Sequence, residues 1–203
     1  MPLVEIFRDH RRPFLIAVGL KVSEIAWASI ASVFVIAYAT TQLGLSRSLI
    51  LNAVMASSFV ALFSIPLFGW LSDLVGRRRM FYASCIFSLL FAFPFFWLME
   101  TRDPLIISLA VIVAISFGQM VMFGIGAPWY SELFTARLRY SGASLGFQIG
   151  AALSGGLTPF IAASLMAWSG GATWPISIYL IGCALITMFA VSKAPETAGR
   201  ALS

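Results

Sequence analysis

The sequence predicts an all-α integral membrane protein with six transmembrane helices. Three observations carry that expectation: the composition, six apolar runs of bilayer-spanning length, and a lopsided distribution of basic residues between alternate turns. Hydrophobic residues make up 60% of the 203 and charged residues 10%, whereas an ordinary soluble domain carries about 25% charged residues. Too few polar side chains exist to coat a water-exposed surface. The formal net charge of +5 does not indicate a nucleic-acid partner, because a phosphate-binding patch must be contiguous and solvated. Here the basic residues sit in short turns between apolar runs.

About 20 apolar residues cross the hydrocarbon core as a helix, and each predicted span meets that length. The first, Phe14 to Thr40, carries Lys21, Ser23 and Glu24. Basic residues precede it and Ala37-Tyr38-Ala39 imitates a cleavage site, but a signal h-region has only about 7 to 15 residues, so a retained span is expected. The second, Leu49 to Leu71, contains Asn52, Ser57, Ser58 and Ser64. The third, Met80 to Met99, has no charge and six phenylalanines (Phe81, Phe87, Phe91, Phe93, Phe95 and Phe96), a composition that suits lipid contact. The fourth, Leu105 to Ala127, carries Gln119. The fifth, Ala143 to Trp168, carries Ser144, Gln148, Ser154 and Thr158, and Gly142, Gly146 and Gly150 recur every four residues along its start. Such a stripe lets another helix backbone approach closely. The sixth, Trp174 to Val191, is plain apart from Thr187 and again suits lipid. The first, second, fourth and fifth spans are therefore expected to line a polar path, with Asn52, Gln119, Ser144 and Gln148 as candidate cavity-lining residues. Pro66, Pro94 and Pro159 interrupt backbone ladders, a feature of some transporter sites and of many plain helices.

Orientation follows from the lysines and arginines. One side of the membrane receives Arg8, Arg11, Arg12, Arg77, Arg78, Arg79, Arg137, Arg139, Lys193 and Arg200, and the other only Arg47 and Arg102. The positive-inside rule then places both termini in the cytoplasm, which an even number of spans permits. Residues 1–13 are a cytoplasmic segment on this scheme, 14–191 the transmembrane domain and 192–203 a cytoplasmic tail. Trp70, Trp97, Trp129, Trp168 and Trp174 fall at predicted span ends, the headgroup level that indole rings prefer; Trp27 lies mid-span.

Ionisable groups within a membrane are expensive unless paired or hydrated, so Lys21 and Glu24 stand out. Three residues apart, they share a helical face, and at about 1.5 Å per residue Lys21 lies roughly 13 Å beyond Arg12. A carboxylate whose partner and hydration change between two states can couple proton entry to substrate movement. The plainer alternative is a lysine that snorkels to the interface while neutralising its neighbour. Other chemistry is poorly provided for. Cys85 and Cys183 lie inside apolar runs as small hydrophobes, and one histidine, His10, with two dispersed cysteines builds no metal site. Gly142-Ala143-Ser144-Leu145-Gly146 matches a serine-nucleophile pattern, but no general base lies beside it. The chain is expected not to be an enzyme and to need no cofactor.

The turn Gly69-Trp-Leu-Ser-Asp73-Leu-Val-Gly76-Arg77-Arg78-Arg79 resembles the cytoplasmic-loop signature of the major facilitator superfamily of secondary transporters, with Leu74 where a basic residue is usual. Pro195-Glu196-Thr197-Ala198-Gly199 is similar to the terminal motif of the sugar-porter branch, with Ala198 replacing lysine. Glu132 to Ser144 and the Lys-x-x-Glu of the first span look like the metabolite:proton symporter branch, whose members import shikimate, oxoglutarate, citrate, or proline and betaine. The resemblance runs from about Pro2 to Arg200 and matches the second six-helix half of a twelve-span carrier. It implies half of a major facilitator fold, a small metabolite and protons as ligands, and a first six-helix half, or self-association, as partner. It also implies a proton-coupling role for Glu24 with Lys21, and a cytoplasmic gate built from Asp73, Gly76, Arg77, Arg78, Glu132, Arg137 and Arg139. A membrane interaction subunit or a remnant without transport of its own is the alternative.

Overall fold

The computed structural model describes residues 10–135 and 138–198. Among the described residues six helices are long and apolar enough to cross a membrane: α1 (Arg11–Thr41), α2 (Arg47–Val75), α3 (Arg77–Glu100), α4 (Pro104–Glu132), α5 (Arg139–Trp168) and α6 (Trp174–Lys193). Each expected span lies within one of them, and the polar residues at the ends add a further turn or less in most cases. The connections are tight. Between α2 and α3 a single residue, Gly76, turns the chain at φ 110°, a conformation that a side chain opposes. Before α4, the Asp103 carboxylate accepts from the Leu105 and Ile106 amides at 2.8 and 3.1 Å, and Pro104 opens the helix where no amide hydrogen is needed. Both described chain ends, the α2–α3 turn and the α4–α5 connection lie at one end of the bundle, the arginine-rich end. Arg47 and Arg102 lie at the other.

Helix α1 is the centre. It packs against α4, α5 and α6, and its last third also against α2. Ala17, Leu20, Ala26, Trp27, Ile30 and Ala31 are fully buried along it. Lipid tails are as apolar as leucine, so close backbone approach supplies much of the association between such helices. The glycine stripe of α5 supplies it here. A Cβ on Gly146 would stand 2.6 Å from Cβ of Ala17 and one on Gly150 2.7 Å from Cβ of Lys21, while one on Gly142 would run into the Phe134 ring. Small-residue packing accounts for the serine-nucleophile pattern, and Ser144 itself points away, exposed.

The two helices expected to suit lipid, α3 and α6, expose one stripe each. The phenylalanines of α3 do not form its lipid face: Phe81, Phe95 and Phe96 are buried and Phe87, Phe91 and Phe93 half-buried. They stack on one another, on Trp27 and on Trp129, because an aromatic ring gains more from ring and methyl neighbours than from disordered lipid. Ile86, Leu90 and Trp97 face outward instead. Likewise α6 buries Leu180, Ala184, Thr187 and Val191 and exposes the stripe of Ile178, Leu185, Ile186 and Phe189. The open helices are α2 and α5, with only 22% and 28% of their apolar windows buried. Trp129, expected at the headgroup level, is also fully buried, and its indole N–H donates to the Pro195 carbonyl at 3.1 Å.

Three helices carry a wide π-helical stretch: α1 at Ile30–Phe34, α4 at Ala114–Met120 and α5 at Ala152–Gly156. Single π turns inside α-helices are frequent at functional sites. Helices α2 and α3 run through Pro66 and Pro94 without such a stretch, whereas Pro159 follows the one in α5. The stretch in α4 brings Gly118 against the indole of Trp27, 2.9 Å from where a Cβ would sit.

Candidate functional site

Two groups of charges are built into the bundle. The inner one belongs to α1, where Lys21 and Glu24 are 1% and 0% exposed and the ammonium Nζ donates to Glu24 Oε1 at 2.5 Å. The plainer alternative, in which Lys21 snorkels to the interface, does not occur. Its ammonium stays inside, 3.8 Å from the centre of the Phe147 ring, with Phe123 at 5.4 Å and Tyr130 at 5.9 Å. Aromatic faces attract a desolvated cation, so α4 and α5 provide a lining for the charge that α1 carries. The satisfaction is incomplete: Glu24 Oε2, Ser23 Oγ and the Tyr130 hydroxyl have no hydrogen-bond partner among the described residues. A half-satisfied ion pair in a dry interior is costly.

Next to the pair lies a cleft of about 210 Å³ lined by Ala127, Tyr130, Ala143, Ser144, Phe147 and Gln148. Tyr130 and Phe147 meet edge to face, ring centres 6.2 Å apart, and serve both the cleft and the Lys21 ammonium. Ser144 and Gln148 are therefore brought to the buried pair through these two rings. Asn52 is not: it is exposed on α2, five residues from Arg47 and so about 8 Å from the opposite end of the bundle. Gln119 sits half-buried in the π stretch of α4, near mid-depth. The aromatic members Phe123, Tyr130 and Phe147 escaped sequence reasoning, since a ring within an apolar span looks like any other packing residue.

The outer group closes the arginine-rich end. Arg77 makes a two-pronged ion pair with Glu132, Nε to Oε2 and Nη2 to Oε1 both at 2.8 Å, and its other contacts are Ser72 Oγ at 3.3 Å and Asp73 Oδ1 at 3.1 Å. Asp73 is a surface partner, with its side chain 59% exposed. Glu196, quoted above only as part of a family-like motif, is a further member of this group. Its carboxylate accepts from four backbone amides: Arg77 at 3.0 Å, Arg78 at 3.1 Å, Thr197 at 3.0 Å and Ala198 at 3.1 Å. The first two are the opening amides of α3, so a carboxylate from beyond α6 caps that helix at the positive end of its dipole. Burial pushes the Glu196 carboxyl up, and the four amide hydrogen bonds outweigh it, holding the group below its ordinary value of 4.5. Thr197 completes the link by donating its hydroxyl to Glu132. Gly76 is required on a second ground, since a Cβ there would also lie 2.9 Å from Glu196 Oε2. Arg78 joins through its amide and reaches the Ser192 carbonyl at 3.5 Å. Arg139 opens α5, half-buried; Arg137 lies outside the described residues.

A bundle in which six described helices are long and apolar enough to cross a membrane, with a buried ion pair at its hub, is the architecture of a multi-pass membrane protein. The chain belongs to the Major Facilitator Superfamily, whose family profile matches residues 16–201. It is 33% identical to the shikimate transporter of Escherichia coli K12 over 192 residues, 94% of this chain and 44% of that protein. It is 30% identical to the citrate-proton symporter of Klebsiella pneumoniae, over 66% of this chain and 30% of that protein. With the proline/betaine transporter of Salmonella typhimurium LT2 the identity is 28%, over 98% of this chain and 39% of that protein. The chain thus spans less than half the length of these relatives. No solved structure matches it.

Proposed function

We propose that this chain forms the second six-helix half of a secondary transporter that takes up a small metabolite, an organic acid or a betaine- or proline-like compound, together with protons across a bacterial inner membrane. The single observation that carries the reading is the Lys21–Glu24 pair, buried on the central helix beside a polar cleft and left half-satisfied. The relatives' names support the substrate range. In this scheme Glu24 is the coupling carboxylate. When substrate or water draws the Lys21 ammonium away, Glu24 is left buried without its counter-charge, and taking up a proton is the least costly response. Restoring the pair expels the proton on the other side of the membrane. Ser144 and Gln148 line the path beside it, and Gln119 and Asn52 lie at successive depths along α4 and α2.

The arginine-rich end faces the cytoplasm in this reading, with both termini there, and its charge cluster is the gate. Asp73, Gly76, Arg77, Arg78, Glu132 and Arg139 hold it, joined by Glu196, and Arg137 is proposed as a further member. A first six-helix half, or a second copy of this chain, closes the cavity from the opposite side. Co-reconstitution tests this directly. Proteoliposomes holding the chain with a matching first half should accumulate shikimate, citrate, oxoglutarate or betaine under an inward proton gradient, and collapse of the gradient with a protonophore should abolish it. Accumulation of none of them, or accumulation indifferent to the gradient, would refute the proposal.

A further inference from the structure

On the far side of α1 from the buried pair, the arginine-rich end holds a second cavity that the transport reading does not use. Lys21 follows Gly19 by two residues and Glu24 follows Leu15 by nine, about 200° and 180° around the helix, so Leu15 and Gly19 face away from the ion pair. They face α6. There a groove of about 400 Å³ runs between the two helices, its walls formed by Leu15, Ile16, Ile186 and Phe189. Its floor is the contact of Gly19 with Ala190, where a Cβ on the glycine would stand only 2.7 Å from that of the alanine. Arg11, Arg12 and Lys193 line its mouth. Lys193 bends over the groove wall, its ammonium 5.4 Å from the centre of the Phe189 ring. Among the described lining residues none is acidic. Leu15, Ile186 and Phe189 are 66%, 53% and 67% exposed, so apolar surface is offered directly below the cations.

We infer that this groove is a binding site for an anionic glycerophospholipid, whose phosphate lies between Arg12, Arg11 and Lys193 and whose acyl chain runs along Leu15, Ile186 and Phe189. Charge complementarity and depth select that occupant. The cations sit at the ends of spanning helices, which is the headgroup level, and the apolar walls continue from them toward the membrane interior. Basic pockets between helices at this level recognise anionic headgroups, whereas a zwitterionic choline lipid brings a cation of its own into the mouth. The groove volume falls within the ~300–1,000 Å³ of ordinary ligand clefts.

The test is native mass spectrometry of the full chain released from detergent after titration with phosphatidylglycerol or with phosphatidylcholine of the same acyl chains. The chain should retain phosphatidylglycerol at least about tenfold more tightly than phosphatidylcholine, the scale expected from two or more basic residues acting at a membrane surface. Arg12→Gln with Lys193→Gln should erase that preference. Arg47→Gln with Arg102→Gln, which removes the same net charge at the opposite end, should leave it intact. Ile186→Trp, which fills the groove without altering charge, should weaken retention of both lipids. All four sites carrying charge changes are exposed, and circular dichroism of each variant checks that it remains helical. Equal retention of the two lipids by the unaltered chain would overturn the inference. So would equal loss in the two charge pairs, or a lipid-free dimer whose formation depends on Ile186.

Discussion

Glu24 has one carboxylate oxygen hydrogen-bonded to Lys21 and one with no hydrogen-bond partner among the described residues, and its side chain is fully buried. If it carries the coupling proton, Glu24→Gln in a carrier completed with a first half should abolish accumulation against a gradient while leaving substrate exchange intact, because the neutral amide mimics the protonated state permanently. Equilibrium exchange and proton-driven uptake measured side by side give the answer, and normal accumulation by the variant would exclude the role. Gly146 is tested by size. With Ala17 Cβ 2.6 Å from the added carbon, Gly146→Leu should lower stability by about 1–3 kcal/mol, the usual range for overpacking, read as a drop in detergent melting temperature. The pair itself was legible in the sequence, since two opposite charges one helical turn apart in an apolar run have to meet each other or water. Its aromatic lining was not. Phe123, Tyr130 and Phe147 come from two other helices, and nothing in their spacing says which face of α1 they will meet. Trp129 differs from expectation for a related reason: its position at a span end suggests the headgroup level, and only the fold of the segment beyond α6 supplies a carbonyl for its N–H.

Helix ends decide how the arginine-rich face is joined together. The amides that open α3 are satisfied by Glu196, a residue 119 positions along the chain from Arg77, so the segment after α6 is tied to the α2–α3 turn. Glu196→Ala should cost about 1 kcal/mol at neutral pH, as loss of a helix cap does. Because folding holds the Glu196 carboxyl below 4.5, its contribution is fully present above that value and is lost as pH falls through the lowered one. The stability difference between Glu196→Ala and the unaltered chain should therefore narrow on acidification below about pH 4.5, and a difference constant to lower pH would show that the charge contributes nothing. Glu132 and Asp73 should behave unlike each other. Both contact Arg77, but the Glu132 pair is nearly enclosed and two-pronged, so Glu132→Gln should cost about 3 kcal/mol. Asp73→Asn, at an exposed pair, should stay within about 0.5 kcal/mol and show itself instead as cysteine accessibility shifted toward the inward-open form. The six helices and their approximate limits were readable from hydropathy, because a spanning helix must satisfy its own backbone whatever its neighbours. The π stretches were not readable. Pro66 and Pro94 flagged positions where the helices run on, while the wide turns of α1 and α4 lie in proline-free sequence and depend on packing such as Trp27 over Gly118.

At the scale of the molecule, the distribution of burial bears on where the proposed partner would pack. A helix bundle in lipid exposes apolar side chains on its outer helices and buries the polar ones, yet α2 and α5 combine the least burial with exposed Asn52, Ser58, Ser144, Gln148 and Ser164. Helices α3 and α6 present aliphatic stripes, as lipid contact requires. Polar groups facing hydrocarbon lose hydration that nothing replaces, so the partner proposed above is expected on the α2 and α5 faces, beside their exposed apolar residues such as Phe63 and Phe160. Sequence polarity grouped those helices with α1 and α4, but could not separate the central pair, already covered, from the open pair. The expected consequence is that the 203-residue chain inserts and associates but does not transport. Reconstituted by itself, it should give no proton-dependent uptake of shikimate, oxoglutarate, citrate or betaine, and cross-linking from cysteines placed at Asn52 and Gln148 should capture a first half when one is co-expressed, or a second copy when it is not. Cross-links arising instead from Leu90 and Phe189 on the lipid stripes, or uptake by a demonstrated monomer, would show that the cavity is closed by some other arrangement of these six helices.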